Sequence, residues 1–159
     1  METVISAVTS AILSLMPLWN SDAEKERAAR YATIVVEESG AVQPEIDPFL
    51  VVAIIYRESS FRPNVEGKRG EVGLMQIFPY GALVRTINKG VTKEDLADAR
   101  TNVRVGVSHL LFWQNECGTD DMTVWLSAYN SGRCRPNGYG RRVTSLYCRL
   151  RPGGCADIS

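Results

Sequence analysis

Apolar residues recur along this chain mostly at three- and four-residue intervals, the spacing of a helix face, and show no convincing run of the strict alternation of a half-buried strand. Ser21 or Asp22 is placed to cap a helix over 23–39, where Tyr31, Ile34, Val35 and Val36 make the apolar side and Gly40 ends it. Asp47 and Pro48, a capping residue followed by the proline that suits a first turn, open a second helix that Pro63 closes. The pattern then predicts a short helix over 79–88 stopped by Gly90 and another capped by Thr92. A longer helix starts at Asn102 and ends before Cys117 and Gly118. Asp120 and Asp121 supply negative charge ahead of a helix over 122–130, and 141–150 is the last. Glycines between Pro63 and Gly73 leave room for a small hairpin. The expected fold class is mostly α in a single domain, with room for one small β-hairpin.

Residues 4–19 are apolar, uncharged and too short for a comfortable membrane span. Val4, Val8, Ile12 and Leu15 fit a helical stripe packed on the domain. The competing readings are a secretory signal, with Ser21-Asp22-Ala23 as cleavage site but Glu2 where a basic start belongs, and a retained anchor. We therefore divide the chain into an apolar N-terminal segment, 1–21, and a body, 22–159. Membrane contact is expected only through 4–19.

The 159 residues carry 18 basic and 18 acidic side chains, with no basic stripe interleaved with aromatics, so nucleic acid is not an expected partner. A single histidine, His109, lies in a helical pattern beside Val105, Leu111 and Phe112. It reads as an ordinary packed or surface residue, and no metal site is expected. Cys117, Cys134, Cys148 and Cys155 fall in the last third without C-x-x-C spacing, which suits disulfides and an extracytoplasmic location. Sequence does not fix the connectivity. Cys148 with Cys155 and Cys117 with Cys134 is the preferred pairing, against four reduced, partly buried thiols.

Glu58 is the candidate for chemistry. At helical spacing it shares a stripe with Val51, Ile54, Ile55 and Phe61, which directs its carboxyl toward the core side. A carboxyl in apolar surroundings stays protonated near neutral pH and can protonate the leaving oxygen of a glycosidic bond. The competing reading is an ion pair with Arg62, which precedes a proline and is pushed out of helical geometry. A second carboxylate is not evident. Glu66 and Glu71 fall in a flexible-looking loop, and Asp120 and Asp121 read as helix-start residues, so all four are expected to be solvated or capping.

Glu58-Ser59, then Gly73-Leu74-Met75-Gln76, then Ala128-Tyr129-Asn130, taken in this order, resemble the lytic transglycosylase family, specifically its goose-lysozyme-like catalytic domain. The resemblance covers roughly Asp47 to Tyr147. It implies a lysozyme-like helical fold and cleavage of peptidoglycan glycan strands between N-acetylmuramic acid and N-acetylglucosamine. One glutamate would act as acid and then as base, closing a 1,6-anhydro ring, with no metal or organic cofactor and as a monomer. Carried onto this chain, Glu58 is catalytic and Ser59, Gly73, Gln76, Tyr129, Asn130, Tyr139 and Tyr147 are substrate-binding. Two other readings remain, a goose-type muramidase of the same fold and a non-catalytic glycan-binding wall protein. The chain departs from the family where a serine often stands in the loop after the acid, since Gly67 stands there, and where a glutamate often precedes the Tyr-x-x-x-Val stretch, since Arg135 stands there. Tyr139 and Val143 fit that stretch.

Overall fold

The helix that Asp47 and Pro48 open is the axis around which the fold is built. In the computed structural model, which describes residues 1–155, this helix spans Pro48–Ser59, and the Asp47 carboxylate accepts the Phe49 N–H at 2.9 Å. Every side chain from Phe49 to Ile55 is buried, so the helix is apolar all round in this stretch and must be enclosed on all sides. Three helices enclose it. They are α1 (Glu2–Leu15), α2 (Asp22–Gly40) and, beyond the central α3, the C-terminal α7 (Gly138–Leu150). Between α3 and α7 the chain forms the short α4 (Ala82–Thr86), a 3-10 turn (Asp95–Ala97), α5 (Ala99–Cys117), which packs on α2, and α6 (Met122–Ser131), which packs on α5 and α7.

Helix α1 buries Val8 and Ile12 completely against the body, each contributing about 1.5–3 kcal/mol of apolar burial. No helix among the described residues is long and apolar enough to cross a membrane. Ser21 caps α2 through a reciprocal box with Glu24, so the cap is Ser21 rather than Asp22.

Helix ends differ from expectation at three places. The 79–88 helix shrinks to five residues because Pro79 and Tyr80 form a turn before Gly81 caps it. Thr92 starts only a 3-10 turn, its hydroxyl and N–H both bonded to Asp95. Helix α5 begins earlier than Asn102 because Asp98 caps it by accepting the Thr101 N–H, which leaves Asn102 buried inside the helix. The segment that left room for a hairpin forms two isolated antiparallel bridges, Glu66 with Val72 and Val72 with Ile77, and there is no strand among the described residues.

Helices α6 and α7 meet closely at Gly140. A Cβ there would lie 2.3 Å from Ser127 Oγ and 2.4 Å from the Thr123 carbonyl oxygen, so only glycine permits the crossing. Ser127 Oγ also accepts the Asn137 N–H, and Asn137 in turn caps α7. This arrangement delivers Tyr139 to the C-terminal end of α3. Disulfides join Cys117 to Cys134 and Cys148 to Cys155, the preferred pairing, and no free cysteine occurs among the described residues.

Candidate active site

Glu58 sits in the last turn of α3, where the backbone turns sharply. Ser60 and Phe61 both take left-handed conformations, φ 50° and 56°, which cost non-glycine residues about 1–3 kcal/mol each. The buried Phe61 ring, stacked on Tyr31 at 6.2 Å, holds that turn in place. Arg62 donates its Nε–H to the Ser59 carbonyl and makes no ion pair with Glu58. The partner of Glu58 is instead Tyr139, whose hydroxyl donates to Oε1 at 2.5 Å. Burial pushes the Glu58 carboxyl above its ordinary value of 4.5, and the negative charge of Glu71 adds to the rise. The Tyr139 bond and the Arg57 charge oppose it without reversing it.

A second wall comes from the Gly73–Gln76 loop, and Asn102 explains its shape. From inside α5, Asn102 Oδ1 accepts the Met75 N–H at 2.8 Å, while Nδ2 donates to the carbonyls of Val72 at 2.8 Å and Leu96 at 2.9 Å. One amide thus satisfies three buried backbone groups. Gly73, at φ +81°, presses so close that a Cβ would fall 2.3 Å from Asn102 Nδ2. Gln76 is held at a positive φ of 49°, its Nε2 donating to the Val65 and Gly73 carbonyls. The Tyr129 hydroxyl donates to the Met75 carbonyl at 2.9 Å and so ties α6 to this loop.

Between these walls lies a cleft of about 610 Å³ that Glu58, Gln76, Tyr129 and Asn130 all line. Tyr139 reaches it through Glu58, and Gly73 shapes the loop from behind. Two expected residues lie elsewhere. Ser59 is 1% exposed with its hydroxyl donating to the Ile55 carbonyl, because at its helical position it faces the core. The Tyr147 hydroxyl donates to Asp47 Oδ2 at 2.8 Å. Asp47 caps the opposite end of α3, roughly 16 Å from Glu58 at 1.5 Å per residue.

The cleft is also lined by Glu71 and His109, which sequence reasoning assigned to other roles, and by Phe78 and Trp113, which it passed over. His109 and Trp113 are four residues apart on α5, and that spacing was the available signal. His109 is 8% exposed, its Nε2 is buried without a hydrogen-bond partner, and burial lowers its pKa to about 4, so it is neutral across the physiological range. Glu71 is not the freely solvated residue expected, since it faces the cleft and is bonded to Arg69. Glu66 pairs with Lys93, and Asp121 caps α6 by accepting the Thr123 N–H. Among the described residues no group of three or more His, Cys, Asp or Glu side chains is placed to hold a metal ion. A carboxyl whose pKa is raised, facing an open cleft, is suited to general-acid chemistry.

The family described as Transglycosylase SLT domain matches residues 36–146. Curated relatives include the membrane-bound lytic murein transglycosylase C of Mannheimia succiniciproducens, 32% identical over 117 residues, and those of Actinobacillus succinogenes and Haemophilus influenzae strain PittEE, each 33% identical over 117 residues. In each case the match takes in 67% of this chain but only 32% of the relative's length.

Proposed function

Because the chain belongs to the transglycosylase SLT domain family, we propose that it is a lytic transglycosylase, cleaving the β-1,4 bond between N-acetylmuramic acid and N-acetylglucosamine in peptidoglycan without consuming water. The observation that carries this reading is the Glu58 carboxyl, whose pKa burial raises and which Tyr139 bonds on the cleft. In this reaction Glu58 gives its proton to the glycosidic oxygen as the C1–O bond breaks. The carboxylate so formed takes the proton of the muramyl 6-hydroxyl as that oxygen bonds to C1, giving the 1,6-anhydro product and restoring the acid. Gln76, Tyr129 and Asn130 line the sugar-binding walls, and Phe78, which is 40% exposed, offers an apolar face to a pyranose ring.

The two disulfides support work outside the reducing cytosol, where peptidoglycan lies. A second reading, a muramidase of the same fold in which water replaces the 6-hydroxyl, is favoured by one observation, the Glu71 carboxylate on the cleft. Digestion of purified sacculi with product mass measurement separates the two, because the anhydro sugar is one water lighter than the reducing sugar. Glu58→Gln is expected to lower release by about 100- to 10,000-fold with the fold retained. A folded Gln variant that clears sacculi at near wild-type rate would remove Glu58 from the reaction.

A further inference from the structure

Gly67 and Glu71 occupy one another's space. A Cβ on residue 67 would lie 2.4 Å from Glu71 Oε2 and 2.8 Å from Gln76 Oε1, so a carboxylate oxygen sits where any larger side chain at 67 would begin. The turn that brings them together is closed by backbone bonds from the Gly67 N–H to the Glu71 carbonyl at 2.7 Å and from the Gly70 N–H to the Gly67 carbonyl at 3.0 Å. Arg69 then fastens the carboxylate at both oxygens, its Nε–H donating to Oε1 at 2.7 Å and its backbone N–H to Oε2 at 3.0 Å. Held in this way, Glu71 lines the same cleft as Glu58, and these are the only two acids among its lining residues.

We propose that Glu71 is a second carboxylate of the reacting site, a fixed anion that stabilises the positive charge appearing on the sugar as the glycosidic bond breaks. It rests on the glycan-cleaving reading above but not on whether the product is anhydro or reducing. Glu71 forms no bond. The electron pair of the C1–O bond leaves with the oxygen that takes the Glu58 proton, and positive charge remains on C1 and the ring oxygen. Glu71 faces that charge until a hydroxyl oxygen bonds to C1 and its proton returns to Glu58. Fixed charges set beforehand in a site lower such barriers because nothing has to reorganise when the charge develops.

The ionisation behaviour of the two acids is consistent. Partial burial pushes the Glu71 pKa up, but hydrogen bonds from its own N–H and from Arg69 outweigh this and hold it below the ordinary value of 4.5. Its charge in turn opposes ionisation of Glu58. The other titratable groups that interact with Glu58 are Tyr139 from α7, Tyr129 from α6 and Arg57 on its own helix. The two tyrosines are held neutral by burial, so Arg57 and Glu71 are the charges that shift the acid, and the cations Lys68 and Arg69 line the same cleft. Two carboxyls with opposed environments, one whose pKa is raised by burial and one whose pKa is lowered by hydrogen bonds, suit the division of labour that a cationic transition state requires.

The test compares wild type, Glu71→Gln, Glu71→Asp and the double variant Gly67→Ser/Glu71→Ala on purified sacculi across a pH series. Glu71→Gln is expected to lower kcat by about tenfold or more with KM within about twofold. The alkaline limb of its profile should move to lower pH, because Glu58 ionises more easily without the neighbouring charge. Glu71→Asp should stay closer to wild type than Gln does. The double variant refills the space with a hydroxyl and should show the same displaced limb, which reads the effect even if the Gln variant folds poorly. A Gln variant within about twofold of wild type, or one slowed with its limb unmoved, overturns the proposal. If wild type itself releases no fragments, it is the function reading that fails.

Discussion

Taking one oxygen atom from Tyr139 is expected to move the working pH of this site upward while slowing it. The Tyr139 hydroxyl donates to Glu58 Oε1 at 2.5 Å, and it favours the ionised carboxyl over the protonated one. A hydrogen bond to a charged acceptor contributes about 1.5–3 kcal/mol and one to a neutral acceptor about 0.5–1.5, so Tyr139→Phe removes about 1 kcal/mol of preference for the carboxylate. This raises the Glu58 pKa, and at ~1.36 kcal/mol per pH unit about 1 kcal/mol corresponds to a displacement of the rate profile by about half to one pH unit. The acid then remains protonated to higher pH, and the alkaline limb of the rate profile should follow by that amount. Turnover at the optimum should fall by about tenfold, because the carboxyl loses the bond that fixes its orientation. The assay is initial release of soluble fragments from purified sacculi across the pH range, with circular dichroism to confirm the fold. A limb that stays in place or moves down would refute the reasoning. The sign is opposite to that expected for Glu71→Gln, so the two variants check each other.

Three further outcomes follow from the same contacts. Glu58 has a raised pKa in the folded protein, so it costs stability as pH rises above the ordinary value of 4.5; thermal melts should show Glu58→Gln more stable than wild type at neutral pH, with the gap closing in acid. His109 has a lowered pKa, so its contribution is full above about 6.5 and is lost as pH falls toward about 4. Replacing it by Leu should remove up to about 3 kcal/mol of acid sensitivity in that window, read as a flatter dependence of Tm on pH. Cys117–Cys134 closes the chain around α6 just beyond the cleft residues Asn130 to Gly132. Cys117→Ser with Cys134→Ser should therefore lower stability by about 2–5 kcal/mol in chemical denaturation and raise KM for glycan more than it lowers kcat.

What the sequence by itself determined is the local and periodic part of this protein. The apolar run from Phe49 to Ile55, opened by Asp47 and Pro48, specifies a buried helix because such a run has no polar face to expose. Glu58 at its end inherits a desolvated position from helical spacing alone, and its raised pKa is that position expressed as proton affinity. The cysteine pairing was preferred but not fixed by sequence, since Cys134 lies nearer along the chain to Cys148 than to Cys117. Only the tertiary structure decided which distant residues share the cleft. Asn102 reads as a helix start because asparagine competes for exposed backbone at a terminus; 27 positions from Met75, its use in bracing the 72–75 loop is invisible to local pattern. Tyr139 meets Glu58 across 81 positions because Gly140 lets α7 close on α6, and Tyr147, two turns further along α7, is carried away to Asp47. Glu71 looked like a solvated loop residue because charge in a glycine-rich turn has no periodicity to read. Its place on the cleft depends on the turn closing over Gly67, a steric condition that exists only once the chain is folded.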